Sequence, residues 1–453
     1  MITLQDQIYI LDGAMGTMIQ RYGLAEEDYH SGPFVSCTKE LKGNNECLNI
    51  TRPDIIKKVH KEYIAAGADI IETNTFSANV ISQAEYGCGE FAARMAFEGA
   101  RIAREAADEA AAMAASIGLS RKVWVAGSIG PTSKSLSLSP DASDPAFRPY
   151  GFDRMYEAYR GQAEALVRGG ADILLIETCF DALNVKAALK AVSDIGRPDI
   201  PVMISVSVGD RSGRTLTGQT IEAFYTSVKH YPIISFGLNC SLGAAELMPL
   251  MEETDRWCRC AVSCYPNAGL PNEMGGYDQS PEEMGRQVGI MARKGLVNIV
   301  GGCCGTTPEH IRAVAESVRG LAPRTLSGIH SDEPLKVSGL DNRKKSEGIT
   351  RMKSSHCRVK GFDILYLIFL RVHTFGQYHI LARKRNSQQG IHVTHMKITE
   401  RTWIGCPDKT RTISYTGKCR KIHDNLKNTI MNFITISNTT KKETLITVFQ
   451  NIR

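Results

Sequence analysis

The stretch "GGADILLIET", residues 169 to 178, reads as a helix stop, a short apolar run and a closing polar pair, Glu177 and Thr178. A near-continuous apolar run of this kind suits a parallel strand, which helices bury on both faces. The same order occurs in "AGADIIET", residues 66 to 73, where Gly67 stops a helix and Glu72 and Thr73 close the strand.

Working outward, further runs of this type lie at 8–13, 122–131, 201–208, 233–241, 260–269 and 297–305. With 68–76 and 171–179 they make eight. Helix-like stretches separate them. "RPDIIKKVHKEYIAAG" has Pro53 and Asp54 in its first turn and Gly67 as its stop, the usual asymmetry of helix ends. An alanine-rich stretch follows at 89–118, and others are expected near 153–169, 181–194, 220–229, 242–256, 280–294 and 308–319. Eight strand–helix units predict a (β/α)8 TIM barrel, preferred over an open doubly wound sheet because strand count and length both fit. In such a barrel the active site forms where the strands end and the following loops begin.

Composition divides the chain of 453 residues, whose formal charge is +6. Residues 341–453 hold 22 of the 54 basic residues and 7 of the 48 acidic ones, +15 against −9 for residues 1–340. Ala382 and Pro407 are the only alanine and proline in that tail. We therefore expect a barrel over 1–325, a linker over 326–341 and an unrelated basic tail over 342–453, disordered or poorly structured, a frame-disrupted or foreign extension. No recognised nucleic-acid motif accompanies the tail's charge, so nucleic acid is not expected as a partner. The first residues carry no basic segment followed by an apolar one, and the longest apolar run, "ILYLIFL", is far shorter than the roughly 20 residues a spanning helix needs. A soluble cytoplasmic protein with no membrane contact is expected.

Polar residues gather at the predicted strand ends: Asp12, Glu72, Thr73, Asn74, Ser128, Glu177, Asn239, Cys240, Asn267, Cys303 and Cys304. Singly, each has an ordinary explanation as a turn or cap residue. Among the 13 cysteines, Cys303 and Cys304 are flanked by Gly301, Gly302 and Gly305, whose backbone freedom would let both sulfurs turn toward the barrel axis. Cys240, at the end of the sixth strand, could meet them there. Three thiolates select zinc and leave one position open, as in catalytic rather than structural sites. A redox disulfide or plain packing remains open from the spacing alone. Cys258, Cys260 and Cys264 straddle the start of the seventh strand and match no paired zinc pattern. They read as structural, as do Cys47, Cys88 and Cys179.

The segments "ILDGAMGTMIQRYGL" (10–24), "LKGNNECLNITRPDIIKKVHKEYIAAGADIIETNTFSAN" (41–79), "GLNCSLG" (237–243) and "GGCCGTTPEHI" (301–311) together resemble the homocysteine-binding module of cobalamin-dependent methionine synthases, within the homocysteine S-methyltransferase superfamily. The likeness covers about residues 5–341, ending in "LKVSGLD" (335–341), which is similar to the linker toward that family's folate module. It implies that Cys240, Cys303 and Cys304 bind zinc, that homocysteine is methylated to methionine, and that the substrate's zinc-activated thiolate is the attacking group, with no separate catalytic side chain. Asp12, Gly13, Glu72 and Glu177 would then hold the substrate's ammonium and carboxylate, and Asn239 would border the zinc. The family's methyl donor is methylcobalamin. Its Asp-x-His-x-x-Gly motif is not found here, so the resemblance implies a cobalamin module or methyl donor supplied in trans. Two alternatives stay open: a stand-alone methyltransferase using betaine or S-methylmethionine, and a non-catalytic remnant that binds zinc and homocysteine.

Overall fold

The computed structural model describes residues 2–272, 275–326 and 336–344, together with strands at 358–359, 362–365, 377–385 and 391–399. The eight apolar runs form eight parallel strands: β1 (Tyr9–Ile10), β2 (Ile70–Glu72), β3 (Trp124–Ile129), β4 (Ile173–Cys179), β5 (Val202–Val206), β6 (Ile233–Gly243), β7 (Ala261–Asn267) and β8 (Ile299–Val300). Their order is β1-β8-β7-β6-β5-β4-β3-β2, and a parallel bridge from Leu11 to Ile70 joins the two ends into a closed barrel. The expected (β/α)8 TIM barrel is thus the fold.

Alternation along each strand divides the core in two. Leu11, Ile70, Ala126, Ile173, Leu175, Met203, Ala261, Tyr265 and Ile299 fill the barrel interior. Their neighbours Ile71, Val125, Leu174, Ile176, Ile204, Phe236, Val262 and Val300 face outward against the helices. Gly237 shows how tightly the strands meet, since a Cβ there would lie 1.9 Å from the Ser263 carbonyl oxygen of β7.

The helices follow their sequence signals closely. Pro53–Ala66 begins on proline and stops at Gly67, whose φ of 112° is the left-handed conformation expected of a terminating glycine. The alanine-rich helix spans Ala92–Ser116. The remaining barrel helices are Phe152–Arg168, Ala182–Asp194, Ile221–Val228, Ala244–Trp257, Pro281–Arg293 and Pro308–Val318. The side chains of Asp181, Thr220 and Ser280 cap the three that follow them. The long connection from β1 to the first barrel helix adds short helices at Met15–Gln20, Glu26–Tyr29 and Leu48–Thr51, which no periodicity announced.

Residues 336–341, within the expected linker, are part of a hairpin. β9 (Lys336–Ser338) and β10 (Asn342–Lys344) pair antiparallel. The turn between them is tied to the barrel by Thr220 N–H to Leu340 O at 2.9 Å and Gln219 Nε2 to Gly339 O at 2.9 Å. The compact unit containing the barrel extends over Met1–Lys345. In the second unit, Ser346–Arg453, the strands Gln377–Arg385 and Ile391–Thr399 pair antiparallel, and Phe362–Leu365 pairs with the former. The expectation of a poorly structured tail otherwise concerns positions outside the described residues. Among the described residues no helix is long and apolar enough to cross a membrane.

Candidate active site

Chemistry concentrates where the strands end. Cys240 lies inside β6, in a stretch where the pairing with β7 shifts register between Asn239 and Gly243. Cys240 and Ser241 both take φ of 61°, a left-handed conformation that costs a non-glycine residue roughly 1–3 kcal/mol. That distortion turns the Cys240 thiol out of the regular strand alternation. Ser241 is held by a 2.7 Å bond between its hydroxyl and that of Ser207.

Cys303 and Cys304 follow β8 and are fixed through backbone groups: Cys303 N–H donates to Pro266 O at 2.7 Å, and Cys304 N–H to Asn267 Oδ1 at 3.1 Å. Of the three glycines flanking the pair, only Gly305 adopts the left-handed region, at φ 80°. Gly301 and Gly302 act by close approach instead, because a Cβ at Gly302 would lie 2.6 Å from Thr306 and one at Gly301 2.7 Å from Leu11.

The three sulfurs converge. Cys240 Sγ is 3.7 Å from Cys304 Sγ, Cys303 Sγ is 4.0 Å from Cys304 Sγ, and all three lie within 4.8 Å of one another. The thiols of Cys240 and Cys303 hydrogen-bond Cys304 and hold it as a thiolate, with its pKa lowered to about 3 despite burial, and the Tyr277 phenol assists. Cys303 is pushed well above the usual thiol range by hydrogen bonds with Cys240 and Cys304 and by burial. For Cys240, the bond with Cys303 pulls downward, but the bond with Cys304 and burial outweigh it and leave the group at about 11. A thiophilic dication would stabilise these groups as thiolates, and the donor set of three converging sulfurs fits zinc. Asn239 orients the cluster: its Nδ2 donates to Thr178 Oγ1 at 2.9 Å and to Cys303 Sγ at 3.8 Å, while its Oδ1 accepts from Ser205 Oγ at 2.7 Å.

Beside the sulfurs lie three carboxyl groups from three strands. Asp12 Oδ2 accepts the Glu72 N–H at 3.0 Å, and the Ser128 hydroxyl donates to Glu177 Oε1. Asp12 Oδ1 and Glu72 Oε1 are buried with no hydrogen-bond partner. Burial raises Glu72 well above the carboxylate range, and the charges of Glu177 and Asp12 add to it. Asp12 is raised in the same way, by burial and then by Glu177, against the Glu72 N–H. Glu177 is pushed up to about 7, chiefly by burial, while Ser128 and Thr178 restrain the rise. Orphaned buried acceptors grouped in this way suit a cationic ligand.

Gly13 supplies room rather than a side chain, since a Cβ there would lie 2.8 Å from both Tyr63 and Thr306. Asn74, predicted at the rim, is instead spent on Asn45 O and Asn49 Oδ1 at 2.7 and 2.9 Å. Two tyrosines escaped the sequence reading. Tyr265 is buried in the barrel interior near Glu177, Glu72 and Cys303, and Tyr277 packs on Gly305 beside Cys304. The phase of β7, with Ala261 and Tyr265 on one face, was a readable signal for the first. The second comes from a loop and had none.

A family profile described as homocysteine S-methyltransferase matches residues 9–318. Among solved structures, the oxidised form of the homocysteine methyltransferase MmuM from Escherichia coli aligns with 21% identity over 68% of this chain and 95% of that one, at a TM-score of 0.54. The metallated form of the same protein aligns with 22% identity over 69% and 96%, at a TM-score of 0.52.

Proposed function

Because the chain belongs to the homocysteine S-methyltransferase family, we propose that it methylates the sulfur of L-homocysteine at a zinc ion held by Cys240, Cys303 and Cys304, as the homocysteine half of a cobalamin-dependent methionine synthase. The observation that carries this reading is the pairing of two unlike sites on one rim: three convergent sulfurs and, beside them, three buried carboxyl groups. Homocysteine has the matching ends, a thiol and an ammonium.

Zinc, when bound, lowers the pKa of a coordinating thiol and so keeps homocysteine in its attacking thiolate form at neutral pH. The protein's own residues do the rest. Asp12, Glu72 and Glu177 receive the ammonium, whose charge brings all three toward ionisation. Gly13 lets the backbone after β1 lie close to the substrate's carboxylate end, and Asn239 keeps Cys303 in place. The homocysteine sulfur forms its bond to the methyl carbon as the donor's bond to that carbon breaks, and the electron pair leaves with the donor. Methylcobalamin is the proposed donor, presented in trans or by a cobalamin module, on the strength of the "LKGNNECLN" and "DGAMGTMIQ" segments.

The test is methionine formation by the zinc-loaded protein given homocysteine and, separately, free methylcobalamin, betaine or S-methylmethionine. Turnover with methylcobalamin is expected. Turnover only with betaine or S-methylmethionine would replace this reading by a stand-alone methyltransferase, and none with any donor would reduce the protein to a homocysteine-binding role.

A further inference from the structure

A second group of cysteines lies where the loop after β1 meets the loop after β2. Cys37 Sγ is 3.6 Å from Cys88 Sγ, and the buried Cys47 touches Cys88 as well. Among the described residues only the rim triad brings three such ligands within 4.8 Å of one another, so this second group is a pair with a bystander rather than a metal cage.

The seam around the pair is firmly built. Phe34 meets Phe91 edge-on with ring centroids 5.0 Å apart, Asn44 and Gln83 exchange two amide hydrogen bonds of 2.8 and 3.0 Å, and Lys39 Nζ donates to Glu85 O at 2.5 Å. Two loops held in this way place the thiols side by side, which raises the effective concentration of one for the other. Closing 3.6 Å to the roughly 2.05 Å of a disulfide requires a movement of about 1.5 Å.

We propose that Cys37 and Cys88 form a reversible disulfide, a modification site whose oxidant is a low-molecular-weight disulfide of the glutathione class. Cys37 is half-buried and Cys88 buried, so Cys37 meets the oxidant first. Its thiolate attacks one sulfur of the oxidant, forming a mixed disulfide and releasing one thiolate. Cys88 then loses its proton to solvent and attacks the Cys37 sulfur, expelling the second thiolate. In total the two cysteines lose two electrons and two protons, and one oxidised disulfide becomes two thiols. Burial raises the Cys88 thiol to about 12, which makes the second step the slower one and accelerates it with pH. The bridge closes a loop that contains β2 and the helix Pro53–Ala66, and so fastens the segment bearing Glu72 without using any thiol of the triad.

The experiment equilibrates the zinc-loaded full chain in buffers of graded reduced and oxidised glutathione, then alkylates, digests and maps the peptides by mass spectrometry. A Cys37–Cys88 linked peptide is expected to accumulate as the buffer becomes more oxidising and to disappear with dithiothreitol. It should be absent from C37S and C88S, retained in C47S, and accompanied by a rise of several degrees in the thermal midpoint. A stable glutathione adduct on Cys37 with no link, a link from Cys47 to Cys88, or free alkylation of the pair in every buffer would overturn the proposal. Peptide mapping reads the bridge independently of methyl transfer, so failure here and failure of the proposed activity are distinguishable.

Discussion

The two cysteine groups resemble each other in spacing and differ in everything around them. The closest sulfurs are 3.7 Å apart in the triad and 3.6 Å apart in the loop seam. In the triad, two residues in left-handed backbone, an orienting asparagine and a neighbouring carboxyl group surround sulfurs that share one focus. In the seam, aromatic rings and an amide pair surround sulfurs that meet two at a time. Proximity alone therefore does not distinguish the proposed metal centre from the proposed redox pair. Strain, convergence and the adjacent charges do.

Six substitutions and a pH series would break or sharpen this contrast. The largest effect is expected from replacing Cys240, Cys303 or Cys304 by serine. Each should lower methyl transfer by more than about 100-fold, above the range typical of residues that merely orient a metal ligand. Steady-state rates near wild type in any of the three would remove the distinction between triad and seam.

Next come Glu72→Gln and Glu177→Gln. If these carboxylates hold the substrate's ammonium, the loss of one charged hydrogen bond should raise the KM for homocysteine by about 10- to 100-fold, with a smaller change in kcat. An unchanged KM would mean that the substrate's charged end lies elsewhere.

A smaller effect concerns pH. The Glu177 pKa of about 7 in the folded chain lies above its ordinary value of 4.5, so the folded state binds more protons than the unfolded state between those limits. Its contribution to stability is fully present below about 4.5 and is lost as pH rises through 7. Denaturant unfolding of the metal-free protein should show a decline over that window to which Glu177 contributes on the order of 1–3 kcal/mol, and Glu177→Gln should make it shallower, leaving the share of Asp12 and Glu72. Parallel curves for the two proteins would contradict the assignment.

The smallest effect is expected from Cys37→Ser. Zinc content and kcat under reducing conditions should stay within about two-fold of wild type, since Cys37 contacts Cys88 rather than the triad and serine nearly conserves its volume. A large loss of zinc would tie the seam to the metal centre and erase the comparison.

Most of the barrel was legible because its signals are local. "ADIIET" and "ADILLIET" announce strands, and Pro53 and Gly67 bracket a helix that forms between them. The sulfur triad was legible too, because glycines flank the 303–304 pair and Cys240 falls near the end of an apolar run. What escaped depends on the path of the chain in space. The left-handed turn at Cys240 and Ser241 carries no glycine to mark it, and Tyr277 reaches Cys304 from a loop. The contact of Cys37 with Cys88 joins residues 51 positions apart across two irregular segments. The docking of the 336–344 hairpin on the barrel likewise uses hydrogen bonds to the carbonyl oxygens of Leu340 and Gly339 that no composition records.

The most direct test of the central claim is metal analysis of the wild type and the three single serine variants, with homocysteine binding measured by calorimetry on the same preparations. The account predicts about one zinc per wild-type chain and homocysteine binding that depends on it, with both lost in C240S, C303S and C304S. Full zinc content in the variants, or homocysteine binding undiminished in their absence of zinc, would contradict it.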